Sequence, residues 1–164
     1  MTREVLESLD LQVYQQLPLA DGGRIVSLCP YSTPDFPMGK NWPDLHTANH
    51  NVFRLDANNQ VVWQVRRVES PTRRSWEDLH RDAKERNPAC EGYLDPFMHM
   101  GLDESGALEA EPVGRYRKGC KVCLQTGEWR YMCSVTYELD IETGIAQFVS
   151  NIGWPPNPEE FSKN

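Results

Sequence analysis

Asp44, His46 and His50 form an Asp-x-His-x-x-x-His pattern, and Cys120 and Cys123 bracket a Cys-x-x-Cys. On a helix, histidines four apart share a face and can hold one ion. This pair, however, lies in a stretch that carries Pro30, Pro34, Pro37 and Pro43, where no regular element is expected. Surface histidines in a long loop are the reading, and a small enzyme or metal-binding protein using the His46/His50 loop is the alternative. The two thiols meet a similar objection. Zinc clusters of this type need a second ligand pair, and nothing later in the chain supplies a matching one. On a strand, positions i and i+3 point to opposite faces, so the thiols do not converge on one ion. His80 on a short helix and His99 on a strand have no assignable partner. The chain holds no Gly-x-Ser-x-Gly, no phosphate-binding loop and no Gly-x-Gly-x-x-Gly, the motifs that would place a nucleophile or a nucleotide. No catalytic residue, metal or cofactor is assigned.

Charge is the stronger signal. The 164 residues carry a formal charge of −7, which argues against a phosphate backbone as partner, because basic surface supplies most nucleic-acid affinity. Arg66, Arg67, Arg73 and Arg74 cluster, as do Arg115, Arg117, Lys118 and Lys121; they read as solvated strand and loop edges, with a nucleic-acid-binding module as the rival. The acidic turn after residue 102 supplies Asp103, Glu104, Glu109 and Glu111, which are taken as the partner-binding residues, since an acidic protein meets a basic partner through electrostatic steering. No apolar run approaches the roughly 20 residues needed to span a bilayer. Met1 to Asp10 is too acidic and too broken for a signal peptide, so a cytoplasmic location is expected. There, five cysteines, an odd number, read as thiols rather than a disulfide framework.

The elements that must position these residues are mostly strands. In residues 51–68, Phe53 and Leu55 alternate before Asp56-Ala57-Asn58-Asn59-Gln60, and Val61, Trp63 and Val65 alternate after it. Period-two alternation around Asp/Asn turn chemistry is a β-hairpin. Its buried face is expected to carry Trp63 together with Phe53, with Arg54, Gln64 and Arg66 turned away. Tyr137 to Phe148 repeats the plan, with Gly144 as the left-handed residue one position later than Asn59 and Phe148 in the place of Trp63. Residues 3 to 18 read either as a strand, with Leu9, Leu11 and Val13 alternating, or as one short helical turn through Val5, Leu6 and Leu9, and an initial hairpin across Ala20-Asp21-Gly22-Gly23 is preferred. A helix runs from about Trp76 to Glu85 until Pro88 stops it, and strands cover Phe97 to Leu102, Ala107 to Val113, Arg115 to Leu124, Trp129 to Leu139 and Ile145 to Ile152. A two-residue loop at Thr126-Gly127 would pair Gln125 with Glu128 and set Cys120 directly opposite Cys133. The sum is one mainly β domain spanning 1–164: an antiparallel meander of hairpins forming a twisted sheet or a partial barrel or sandwich, with one short helix.

Asn51 to Val65, Asp95-Pro96-Phe97 and Tyr137 to Gly144 together resemble a family of small bacterial proteins found beside polymorphic toxins, the immunity proteins of contact-dependent growth inhibition and related systems. The same Leu-Asp plan resembles quinoprotein-type propeller blades, from which this chain departs by holding two copies rather than a ring. The immunity resemblance implies a protein that neutralises a cognate toxin domain, commonly a nuclease, by covering its active site or a surface it needs. It requires no catalytic residue of this chain; no cofactor and no membrane partner are expected either.

Overall fold

The computed structural model describes residues 13–28, 45–69, 76–89, 95–106, 116–126 and 135–150. Mainly β, it holds two sheets. In the first, β1 (Val13–Pro18), β2 (Arg24–Leu28), β3 (Val52–Leu55) and β4 (Val61–Gln64) follow one another as antiparallel neighbours. The second contains β5 (Arg66–Val68), β6 (Phe97–Asp103), β7 (Lys121–Thr126), β8 (Val135–Leu139) and β9 (Ile145–Ser150) in the order β5-β9-β8-β7-β6. Every pairing is antiparallel except β5 on β9.

Strands β4 and β5 are one run of chain that changes sheets at Val65. The Val65 N–H still donates to the Val52 carbonyl at 2.9 Å, and the next N–H, of Arg66, donates to Gly144 of the second sheet at 2.9 Å. One face of each sheet meets in a common core. Leu17, Ile25 and Val52 come from the first sheet, and Phe97, Leu124, Tyr137 and Ala146 from the second. The opposite face of the first sheet gathers Val26, Leu28, Phe53 and Leu55, with Val13 and Val61 against them.

That division corrects the expected register of the first hairpin. Leu55 pairs with Val61, but Arg54 pairs with Trp63, so Val62 is an inserted residue, a β-bulge. The insertion moves Trp63 off the face of Phe53 and onto that of Arg54. Trp63 still packs half-buried on the common core, reached from the other side of the sheet. The second hairpin keeps an unbroken register through three pairs, Leu139↔Ala146, Glu138↔Gln147 and Tyr137↔Phe148, before its own insertion at Val149. Phe148 therefore faces Tyr137 and does not take the place of Trp63. The left-handed residues are the expected ones, Asn59 at φ 59° and Gly144 at φ 77°.

Two further expectations change. The Pro-rich stretch does contain a regular element, α1 (Leu45–Asn49), because Pro43 stands ahead of it and removes none of its N–H donors. A second helix, α2 (Trp76–Arg86), has Glu77 and Asp78 in its first turn and Lys84 and Arg86 in its last, the polarity its dipole favours. In β7 and β8, Thr126 pairs with Val135 and Gln125 with Thr136. The connection is thus longer than two residues, and the Gln125–Glu128 register with Cys120 opposite Cys133 is not adopted. Cys133 lies outside the described residues, as does the expected strand from Ala107 to Val113.

Side-chain amides finish the edge of β6. Asn51 accepts from the Phe97 N–H at 2.9 Å and donates to its carbonyl at 2.9 Å; Gln15 does the same for Met100 at 2.7 and 3.0 Å. Buried backbone donors and acceptors need partners, and here two side chains stand in for a neighbouring strand.

Candidate functional site

The turn between β8 and β9 is built by Asp140. Its carboxylate accepts the Glu142 N–H at 2.9 Å, and its carbonyl accepts the Gly144 N–H at 2.8 Å. Gly144 is required twice: its φ is positive, and a Cβ there would stand 2.6 Å from the Trp63 ring. The ring lies directly on the turn, and Trp63 Nε1 donates to the Ile141 carbonyl at 2.9 Å. Arg54 Nη1 donates to that same carbonyl at 2.8 Å, while its other terminal nitrogen pairs with Asp21 at 3.0 Å. The first hairpin thus clamps the tip of the second.

Beside this clamped turn lies a groove of about 600 Å³. Tyr116, Ile141, Ile145 and Val149 give it an apolar floor; Glu138, Asp140 and Glu142 give it carboxylates, and Lys121 an ammonium. The acids are well exposed, Glu142 at 76% and Glu138 at 47% of their side chains. Lys121 reaches Glu138 only at 4.0 Å, a contact of little energetic weight at such exposure.

The expected acidic turn borders this groove. Asp103 is the cross-strand partner of Lys121, and its carboxylate is held below the usual range by the Ser105 N–H it accepts at 3.0 Å. Glu104 pairs with Arg117 at 3.3 Å. Glu109 and Glu111 lie outside the described residues.

A second polar cluster is buried against the common core, where Arg67 pairs with Ala146 across β5 and β9. The Arg67 side chain is 1% exposed. It donates to the Asp95 carbonyl at 2.7 Å, to the Asp95 carboxylate at 2.8 Å and to the Tyr137 hydroxyl at 3.0 Å. That hydroxyl donates onward to Glu69 at 2.6 Å. The guanidinium also stands 5.0 Å from the centre of the Phe97 ring and 5.2 Å from that of Tyr137. Burial opposes the charge on Arg67, but Asp95 and then Tyr137 outweigh it, and its pKa is held above the ordinary value. Burial also pushes the Tyr137 hydroxyl well up. Such a network fixes strand positions, because every member is committed to a partner from a distant part of the chain.

The histidines come together only in part. His46 and His50 stack at 4.0 Å between ring centres, and His50 Nδ1 donates to the His46 carbonyl at 2.8 Å. Burial pulls His50 down to about 4, so it is neutral at physiological pH. His80 stands on α2 and His99 on β6; Asp44 is outside the described residues. Among the described residues, no group of three or more His, Cys, Asp or Glu could hold a metal ion. Cys123 is buried on β7, and burial, helped by Glu138 and Asp103, pushes its thiol up to about 11. It stays protonated and is a poor ligand or nucleophile at neutral pH.

Sequence reasoning found the turn at Asp140 and the acids near Asp103, but not the groove, which needs Trp63 to be known as its clamp. It also missed Arg67. The available signal was an arginine two residues after buried Val65, at an inward position of the same strand run. Among the described residues, no helix is long and apolar enough to cross a membrane. No family model, no curated protein and no solved structure matches the chain.

Proposed function

We propose that this chain is an immunity protein, which binds a basic bacterial toxin domain in the cytoplasm and neutralises it by masking its active site or a surface it requires. The observation that carries the reading is the clamped acidic groove: three carboxylates around an apolar floor on a turn held by Trp63 and Arg54. A preorganised surface loses little freedom on binding, and carboxylates on a chain of charge −7 steer a basic partner towards it. Asp103, beside Lys121, extends the same negative field along the end of β6. Masking needs only a rigid complementary surface, with no reacting group contributed by the inhibitor.

The test is a growth-protection assay with the toxin domain encoded by the adjacent reading frame. The wild-type chain should protect cells and form a stoichiometric complex whose association rate falls as salt rises. The Glu138→Lys, Glu142→Lys double variant should fold normally yet protect poorly. Absence of any complex between the purified pair at micromolar concentration would sink the reading.

A further inference from the structure

Within the binding reading just given, the groove points to a particular kind of occupant. We infer that it receives an extended aliphatic-basic segment of the partner, whose arginine or lysine takes the place that Lys121 loosely holds beside Glu138.

The chemistry follows from which groups are already committed. Asp140 holds its own turn together through the Glu142 N–H, so its carboxylate is partly occupied. Glu142 gives Arg54 only a 3.4 Å contact and keeps 76% of its side chain exposed. Glu138 has Lys121 at 4.0 Å, with both side chains about half exposed or more. Glu138 and Glu142 are therefore the acceptors with capacity for an incoming cation, and charge complementarity selects a basic group. Lys121 marks the position. It lies between Asp103 on one neighbouring strand and Glu138 on the other, which is where an outside ammonium or guanidinium would gain most.

The apolar part sets the rest of the segment. Ile145 and Val149 stand on the outward side of β9, and Val149 is 54% exposed. An aliphatic side chain next to the cation would cover Val149, while the methylene stem of the basic residue lies along Tyr116 and Ile141. A volume of about 600 Å³ accommodates a few side chains and not a folded element, so the occupant enters as an extended strand or loop.

The probe is a blocked hexapeptide of alternating valine and arginine, compared with the same peptide carrying citrulline, which keeps the shape and removes the charge. Binding is followed by amide chemical shifts at Ile141, Glu142, Thr143 and Val149. The arginine peptide should bind at these residues, with the citrulline peptide about tenfold weaker. Glu138→Gln combined with Glu142→Gln should weaken the arginine peptide about tenfold. Lys121→Gln should tighten it about threefold, because a competing cation has gone. Equal binding of the two peptides would show an apolar pocket instead and overturn the inference. So would shifts confined to another surface, weaker binding by Lys121→Gln, or self-association of the chain through the groove seen by sedimentation. Loss of peptide binding alongside intact toxin protection would reject this site and leave the immunity reading standing.

Discussion

The two Leu-Asp hairpins begin with the same plan and end with different tasks, and one inserted residue separates them. In the first hairpin the insertion, Val62, comes immediately after the first pair beyond the turn; in the second, Val149 comes after three regular pairs. The early bulge sends Trp63 to the side of Arg54, where both reach the Ile141 carbonyl. The late one leaves Tyr137 and Phe148 facing each other in the core, ring centres 6.3 Å apart. The first hairpin is thereby a clamp and the second is the thing clamped. Where a bulge falls decides which face a whole strand presents, because side chains alternate with period two.

Moving the indole should break this contrast most sharply. Exchanging the two residues, Val62→Trp with Trp63→Val, puts the indole on the bulge and strips the Ile141 turn of its clamp. The expected cost is about 4–6 kcal/mol from the lost packing and hydrogen bond together. Deleting Val62 or Val149 instead makes each ladder regular and leaves Trp63 opposite Arg54 and Phe148 opposite Tyr137, so both deletions should keep a cooperative transition. Calorimetry on the three variants decides; an exchange no worse than the deletions would mean that the face of Trp63 carries no weight.

Gly144→Ala comes next. It combines a left-handed backbone with a Cβ pressed on the Trp63 ring, and a cost of about 3–5 kcal/mol is expected from strain and overpacking together. The Trp63→Leu, Gly144→Ala double variant should recover part of that loss. Denaturant melts arranged as a double-mutant cycle measure the coupling, and strict additivity would contradict the close approach.

Acid should act on the first hairpin before the second. The His50 carbonyl accepts from Gln64 on β4 at 3.1 Å, and His50 titrates at about 4 in the folded protein against 6.5 as its ordinary value. The unfolded chain therefore binds more protons between these values, and stability falls as pH drops through that window. The loss amounts to about 3 kcal/mol once both values have been passed. His50→Gln should flatten the dependence between pH 6.5 and 4. Amide exchange at Gln64 and Val65 that accelerates no earlier than at Tyr137 and Phe148 would count against this order.

The smallest differences concern the turns and the bulge residues. Asn59→Gly should be nearly neutral, whereas Asn59→Ala should cost about 1 kcal/mol through its left-handed φ. Val62→Thr and Val149→Thr, both at exposed positions, should each fall within about 0.5 kcal/mol of wild type in thermal melts.

What the sequence revealed was local. Alternation located β3, β4, β8 and β9, apolar runs between turn signals located β2, β6 and β7, and Asp/Asn/Gly chemistry located three turns, two of them with their left-handed residues, Asn59 and Gly144; residues 3 to 18 read equally as a strand or a short helical turn. What it hid depended on partners far along the chain. A bulge exists only relative to the strand across from it, so nothing within Val61 to Val65 announces it. Arg67 reads as a surface base until Asp95 and Tyr137, 28 and 70 residues away, are brought to it. The short helix at Leu45–Asn49 was obscured by the prolines before it. For the groove, the acids near Asp103 and the turn at Asp140 were each visible, but their shared border at Lys121 follows from the β6–β7 register.

The insertions also bear on how the described sheet edges meet an approaching strand. A sheet edge is an open invitation to further strands, and proteins discourage it with bulges, short strands and covering groups. Here β1 is bulged at Tyr14, β4 at Val62 and β6 at Met98, while β5, the remaining edge of the two described sheets, is three residues long. Tyr14 and Val62, which look out of place as exposed apolar residues, stand where the ladder is interrupted. A strand approaching either edge would meet a side chain out of step with its own hydrogen bonds, so the same irregularity that aims Trp63 also makes these two described edges poor templates for further strands.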